Sequence, residues 1–524
     1  MSEFKLLKLH KHLKTFKKGF SLKICLINPP MDFTKRSSDF EYSENFFTMQ
    51  HLGLGYIASN LCKNRFETEI IECPMEDINI QQLVMRLDKS NYDIIGFSLY
   101  YYNVMSTIKI IKKLRQNKNR CPFIVVGGYF PTLRPEDAIY YTTADCIILG
   151  EGEETFVKLA HAIENSLDWK NIPGLGFMQN NQIKINEPSE AILELDKLPF
   201  PLRKVSEYTK CFSIITSRGC YNSCSFCGIR EFYDKCCINR IRFRSVQNVI
   251  DEITELFQEY NPPMIKFSDE IFINRSINRK RWLQQFCNEL SKKDYSINFN
   301  INVKATDVAS NKDVLLLLKG VGLKYVFVGI ESFSQRQLDY FNKNTSVQDN
   351  INALKVLKSL NIPIVMGFIL LDPYSNMDEI YSGLKTLKEL SVIESMDYRQ
   401  FLFSSVVLEA IPGTPIYTNL SENNMLSSSA PGYHFVDRNV EKFYAYMMKW
   451  NEQAEGVNSK FYSLMKYEIE GLEIEDMLRF KHELLNLDLD YLISISLYIN
   501  NEMKTEELFH SFLKKLTDLK AKIN

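Results

Sequence analysis

The sequence predicts an α/β protein in three parts: an N-terminal doubly wound parallel sheet, a partial barrel of six β/α units, and a C-terminal mainly helical domain. Two observations predict this. Five short strand-like runs lie between Ser21 and Phe156 and six between Phe212 and Leu408, and most are separated by helix-length stretches, as in parallel sheets with helical crossovers. Between the two sets, a hairpin pattern over Pro173–Pro188 and the stiff link Leu198-Pro199-Phe200-Pro201 mark a boundary.

Composition supports a folded chain of two or three domains, with 45% hydrophobic and 24% charged residues in 524. The 63 Lys+Arg against 64 Asp+Glu leave a net charge of -1, so no global field attracts nucleic acid. No run approaches the ~20 apolar residues of a membrane span. Twelve cysteines without a signal peptide, most inside apolar runs, point to a reducing cytoplasm rather than to disulfides.

In order, residues 1–20 read as a basic amphipathic helix with six lysines. Residues 21–170 form the doubly wound domain, with strands at Ile24–Ile27, Glu69–Cys73, Ile94–Leu99, Phe123–Val126 and Cys146–Leu149. Special residues collect at its strand ends, where such sheets bind ligands: Asn28-Pro29-Pro30, Ser98, Gly127-Gly128-Tyr129, and Gly150-Glu151-Gly152-Glu153. Residues 171–205 are hairpin and linker. Residues 206–423 form the barrel, with strands at Phe212–Thr216, Met264–Ser268, Ile297–Val303, Tyr325–Ile330, Ile364–Leu371 and Phe401–Leu408. Residues 424–524 are helical in pattern and rich in Tyr, Phe and Met.

The stretch Ser217–Gly228 carries the chemistry, holding Cys220, Cys224 and Cys227 in a C-x-x-x-C-x-x-C spacing directly after the first barrel strand. Three thiolates converging on one soft metal centre leave a coordination position open. A structural zinc site would need Cys236 or Cys237 as fourth ligand and lacks the usual second knuckle.

This stretch, with the aromatic Phe226 before the last cysteine, resembles the cluster motif of the radical SAM superfamily. The resemblance implies a [4Fe-4S] cluster on Cys220, Cys224 and Cys227, its fourth iron chelated by S-adenosylmethionine (SAM). By the same resemblance Phe226, Ser268, Asp269, Gly329, Glu331 and Ser332 are implied SAM contacts. Where relatives often have Gly-x-Pro-Gly, this chain has Leu371-Asp372-Pro373-Tyr374, which leaves the adenine contact undefined.

The N-terminal motifs, with Leu52-Gly53-Leu54-Gly55 and Gly-Gly-x-x-Pro-Thr, look like the Rossmann-like cobalamin-binding domain found upstream of many radical SAM domains. That likeness implies cobalamin contacts at Ser98, Gly127, Gly128, Tyr129, Gly150 and Gly152. No Asp-x-His-x-x-Gly occurs, so a cobalt without a histidine ligand is implied. A vestigial domain that holds no cofactor is the alternative. Methylthiotransferases also place a Rossmann-like domain first, but here Cys25, Cys121 and Cys146 fall in or at the start of apolar strand runs and read as core. The family reading implies radical methylation of an unactivated carbon of a small-molecule or peptide substrate, with cyclisation or rearrangement as alternatives and flavodoxin or ferredoxin as electron donor. A non-catalytic metal scaffold is the competing class.

Overall fold

A computed structural model describes residues 22–32, 49–116, 122–206, 209, 211–238, 241–466 and 474–522. The expected helix over 1–20 and Cys121 lie outside the described residues. The chain divides into two compact units: one is built mainly from His51–Glu190 with the first strand, the other runs from Val205 onward.

In the first unit the parallel strands β1 (Lys23–Asn28), β2 (Glu67–Glu72), β3 (Ile94–Ser98), β4 (Phe123–Gly127) and β5 (Cys146–Ile148) lie in the order β2-β1-β3-β4-β5. Both faces are covered, which is why the strands read as unbroken apolar runs. On one face Ile24, Leu26 and Ile148 pack on α1 (Leu52–Lys63), and on the other Cys25, Ile27 and Ile147 pack on α2 (Ile80–Lys89) and α3 (Val104–Gln116). Helix α4 (Pro135–Thr142) joins the second face and α5 (Glu153–Glu164) the first. Cys25 and Cys146 are fully buried.

The hairpin is not a boundary element. Its strands β6 (Leu175–Gln179) and β7 (Gln182–Ile185) extend the sheet antiparallel, with Ile148 opposite Leu175. Leu175 and Phe177 are buried, and Phe177 meets Trp169 edge-on, so the hairpin covers the otherwise open edge of β5.

In the second unit β8 (Cys211–Ile214) leads into a two-stranded ribbon of β9 (Ser217–Arg218) and β10 (Arg242–Phe243). Strands β11 (Met264–Phe267), β12 (Phe299–Lys304), β13 (Leu323–Glu331) and β14 (Ile364–Phe368) then complete a parallel sheet in the order β14-β13-β12-β11-β8. Helices α6 (Gly228–Lys235), α7 (Val246–Tyr260), α8 (Ile277–Ser291), α9 (Lys312–Gly320), α10 (Val347–Ser359) and α11 (Met377–Glu389) follow successive strands.

The sixth run, expected as a strand over Phe401–Leu408, follows the β14 side of the sheet without forming one. It makes single parallel bridges at Ile364–Met396 and Leu371–Val407. Between them the Gln400 side-chain amide substitutes for a strand backbone, accepting from Met366 N–H at 2.5 Å and donating to Met366 O at 3.2 Å. A 3-10 turn at Phe403–Ser405 interrupts the run.

That turn is held by the C-terminal helices α12 (Arg438–Lys466), α13 (Ile474–Tyr498) and α14 (Glu502–Ala521), whose Trp450, Leu492 and Phe512 join the same core as Ile364 and Phe403. The carboxylate of Asp488, fully buried, accepts from Phe403 N–H at 2.7 Å and Trp450 Nε1–H at 2.8 Å. Asp488→Ala would leave these donors buried without an acceptor. We expect a loss of about 3 kcal/mol, read as a lower urea midpoint of this unit, with a smaller loss for Asp488→Asn.

Candidate functional site

Each unit gathers its special residues at the carboxyl ends of its parallel strands. In the first unit these ends are wired together by buried polar side chains. At the end of β1, Asn28 Nδ2 donates to Glu72 Oε2 at 2.9 Å, and Glu72 Oε1 accepts from His51 N–H at 2.9 Å. Burial pushes the Glu72 carboxyl up to about 7. His51 caps α1, its Nδ1 accepting from Leu54 N–H at 3.1 Å, while its Nε2 lies 2.8 Å from Ser98 Oγ. With Nδ1 an acceptor, the proton sits on Nε2 and is donated to Ser98; burial lowers the imidazole to about 4 and keeps it neutral. Both ring nitrogens are therefore committed within the protein.

The glycine loops are tied by Thr132, whose Oγ1 donates to Gly128 O at 2.8 Å and accepts from Gly150 N–H at 2.9 Å. Gly128 is required by the chain itself: it has φ 103°, and a Cβ there would lie 2.9 Å from Leu99 O. Gly127 is different, since a Cβ would come no closer than 3.6 Å to Ile148 O. Tyr129, half-buried, lies in an aromatic group around Tyr100, with ring centroids 5.7 Å apart, and Tyr100 stacks on Tyr102. Gly152 sits beside Ile57. Sequence reasoning missed His51, Glu72 and Tyr100 as parts of this network; Thr132 was visible as the last residue of Gly-Gly-x-x-Pro-Thr, and Tyr100 only in Tyr100-Tyr101-Tyr102 just past β3.

In the second unit Cys220, Cys224 and Cys227 lie half-buried and unbridged on the loop after β9. Among the described residues no three His, Cys, Asp or Glu side chains are gathered on one ion's position. The loop is pinned on every side. Lys304, at the end of β12, donates to Asn222 Oδ1 at 2.7 Å; Tyr221 donates to Asp307; Ser225 N–H donates to Phe341 O at 2.9 Å; and Asn342 Nδ2 donates to Ser223 O at 2.8 Å. Asn222 N–H points at Cys220 Sγ, 3.4 Å away. Burial raises all three thiols, Cys227 to about 12, while Lys343 opposes the rise at each. A buried cation, an amide donor on sulfur and three thiols on one rigid loop form a donor set that fits an iron-sulfur cluster.

Glu331 ends β13 in a left-handed conformation, φ 63°, and its Oε1 meets Lys343 Nζ at 2.5 Å. Room for this pair comes from Gly329, where a Cβ would lie 2.7 Å from Glu331 Oε1 and 2.8 Å from Lys343 Nζ. Phe226 meets Phe341 edge-on at 5.5 Å. Ser268, half-buried at the end of β11, has no partner for its hydroxyl among the described residues.

Two expected SAM contacts are instead committed inside the protein. Asp269 has no exposed surface; its Oδ2 accepts from Thr216 N–H at 2.9 Å, its Oδ1 accepts from Thr216 and Ser217 hydroxyls, and Arg279 lies 3.7 Å away. It acts on the cluster loop by positioning it. Ser332 is likewise buried, its hydroxyl donating to Gln337 and accepting from Ser334 N–H. The neighbouring Glu270, not singled out in the sequence, also reaches the loop, accepting from Gly219 N–H at 3.2 Å and the Tyr233 hydroxyl at 3.0 Å.

Residues 46–160 match the B12 binding domain family, and residues 214–387 match the Radical SAM superfamily. The chain is 28% identical over 386 residues to an uncharacterised methyltransferase of Pyrococcus horikoshii, covering 72% of this chain and 79% of that one. It is 29% identical over 247 residues to an anaerobic magnesium-protoporphyrin IX monomethyl ester cyclase of Synechocystis, spanning 46% of this chain and about half, 48%, of that one. Its fold is that of the cobalamin-dependent SAM radical enzyme OxsB solved with aqua-cobalamin, with TM-score 0.75, 19% identity, and coverage of 98% of this chain and 81% of that one.

The two adjacent glycines give contrasting expectations. Gly128→Ala should cost about 1–3 kcal/mol of stability, through backbone strain and the clash with Leu99. Gly127→Ala should fold like wild type but retain severalfold less cobalamin after gel filtration, read from its visible absorbance. Full retention by Gly127→Ala would show that no ligand approaches that backbone.

Proposed function

The chain belongs to the radical SAM enzymes that carry a B12-binding domain, and on that premise we propose that it methylates an unactivated carbon of a small-molecule or peptide substrate. The observation that supports the reading best is the pinned loop bearing Cys220, Cys224 and Cys227 beside the buried Lys343–Glu331 pair. When bound, the cluster would supply the electron for reductive cleavage of SAM, and cobalamin would supply the methyl group.

The protein's part is to hold and orient. Cys220, Cys224 and Cys227 would hold the cluster, and Lys343, fixed by Glu331, would offset the negative charge gathered there. Phe226 gives SAM an apolar neighbour, the free Ser268 hydroxyl offers a hydrogen bond at the strand end, and Gly329 and Glu331 form the wall opposite. Asp269 and Ser332 set the positions of these groups. In the first unit, Gly127, Gly128, Gly150 and Gly152 keep the strand ends bare for a flat ligand, with Ser98 and Tyr129 at its margin. Ser98 enters that site with its oxygen already accepting from His51, so its own hydroxyl proton is the group offered outward. A low-potential electron carrier such as flavodoxin or ferredoxin completes the requirement. Among the described residues no helix is long and apolar enough to cross a membrane.

Replacing the three cysteines together with alanine should abolish iron incorporation and the formation of 5'-deoxyadenosine from SAM, measured by mass spectrometry after anaerobic reconstitution. Activity in a zinc-loaded, iron-free protein would overturn the reading. Lys343→Met should lower iron retention severalfold, since it leaves Glu331 an unpaired buried carboxylate beside the thiolates.

A further inference from the structure

One face of the barrel sheet carries a polar row, while its other face is apolar. Phe212, Ile214, Ile265, Phe267, Phe299, Ile301, Val326 and Val328 all belong to the core shared with the helices. Their strand neighbours point the opposite way, and the pairing register sets Ser213, Lys266, Asn300 and Tyr325 in a single row across β8, β11, β12 and β13. None of these four is part of that apolar core.

The row is unusual for what its members lack. Ser213 donates to Met49 Sδ at 3.6 Å. The Asn300 side chain is 2% exposed, yet its Nδ2 has no hydrogen-bond partner. The ammonium of Lys266, a half-buried residue, has no hydrogen bond or ion pair among the described residues, and the Tyr325 hydroxyl has no hydrogen bond. Arg399 adds a second cation, its guanidinium 4.7 Å from the centre of the Tyr325 ring. The carboxylate beside it, Asp397, is taken up by Arg399 itself at 2.8 Å. Among the described residues, the titratable group that acts on Lys266 is the Cys211 thiol, which burial raises to about 11 and so keeps neutral; burial likewise lowers the lysine. An ammonium, an amide N–H and a phenol O–H, all donors and all unpaired inside a fold, are costly unless an acceptor joins them.

We infer that Lys266, Asn300 and Tyr325 form the floor of the substrate pocket and bind an oxyanion of the substrate, a phosphate or a carboxylate. Three convergent donors and no carboxylate suit an anion and reject a cation or an apolar group. The assignment of this anion to a substrate rests on the radical SAM reading above, whereas the anion site itself stands on the register and the unpaired donors. Placing the recognised charge at the floor of the barrel leaves the rest of the molecule to extend toward the strand ends, where the cluster loop lies.

The test is equilibrium dialysis of the full-length, cluster-reconstituted protein against radiolabelled inorganic phosphate, with acetate and methyl phosphate as competitors. We expect saturable binding that weakens at least tenfold in Lys266→Met and severalfold in Asn300→Leu, and that Lys266→Arg largely preserves. Asn300→Leu changes no charge and keeps the test open should Lys266→Met fail to fold. Competition by methyl phosphate alone assigns a phosphoryl group, and competition by acetate as well assigns a site that accepts carboxylates; both uphold the floor. Equal binding in wild type and Lys266→Met, or none in either, overturns it. SAM binding by the wild type, measured in the same way, separates the two readings: a protein that takes SAM but shows no Lys266-dependent phosphate binding sinks the floor and leaves the cluster assignment standing.

Discussion

The barrel's working end depends on one buried carboxylate. Asp269 closes β11 and reaches across to β8, where it binds the backbone and hydroxyl of Thr216 and the hydroxyl of Ser217, the residues from which the cysteine loop departs. Arg279 balances its charge from α8 and donates to Thr216 Oγ1 at 2.6 Å, with Phe272 and Trp282 beneath its guanidinium. A buried charge pair of this kind contributes little net stability, but breaking it is expensive, so the arrangement specifies one conformation rather than adding strength. Every later contact of the loop, from Lys304 to Asn342, is made by a segment whose starting point Asp269 has already set.

The electrostatics around the cysteines follow from this rigidity. Thiols are poor metal ligands until they lose a proton, and burial alone works against that loss. Lys304 approaches from the end of β12 and Lys343 from the segment after residues 335–340, and each is held by a neutral or acidic partner, Asn222 for Lys304 and Glu331 for Lys343. The two cations oppose, without overcoming, the rise that burial imposes on the Cys224 thiol.

Much of this was legible in the sequence because parallel strands and loop cysteines leave local signatures. The apolar runs from Ile24 to Cys146 announced a sheet covered on both faces, and three cysteines in eight residues after a strand marked the loop that the rest of the barrel end pins in place. What escaped reading was non-local. Nothing near residue 400 says that a glutamine side chain will satisfy Met366 in place of a strand, or that Asp488, far along the chain, will hold the turn that breaks the run. The hairpin at Leu175 was visible as a hairpin, but its partner on β5 was not, since pairing of an edge depends on which edge is left uncovered. His51 could not be placed beside Ser98 from the sequence because the two are 47 residues apart and meet only through the β1 to β3 crossover. Asp269 stood out in the sequence as a ligand contact, whereas the fold commits it to Thr216 and Ser217.

The two glycines after β4 carry different information about descent. Gly128 is demanded by its own backbone and by Leu99 O, whether or not anything binds there, whereas no neighbour in the fold demands Gly127. In a lineage that had abandoned its cofactor, selection would keep the second glycine of the pair and release the first. The residue at the first position, not the familiar doublet, is therefore the one that distinguishes a working domain from a relic.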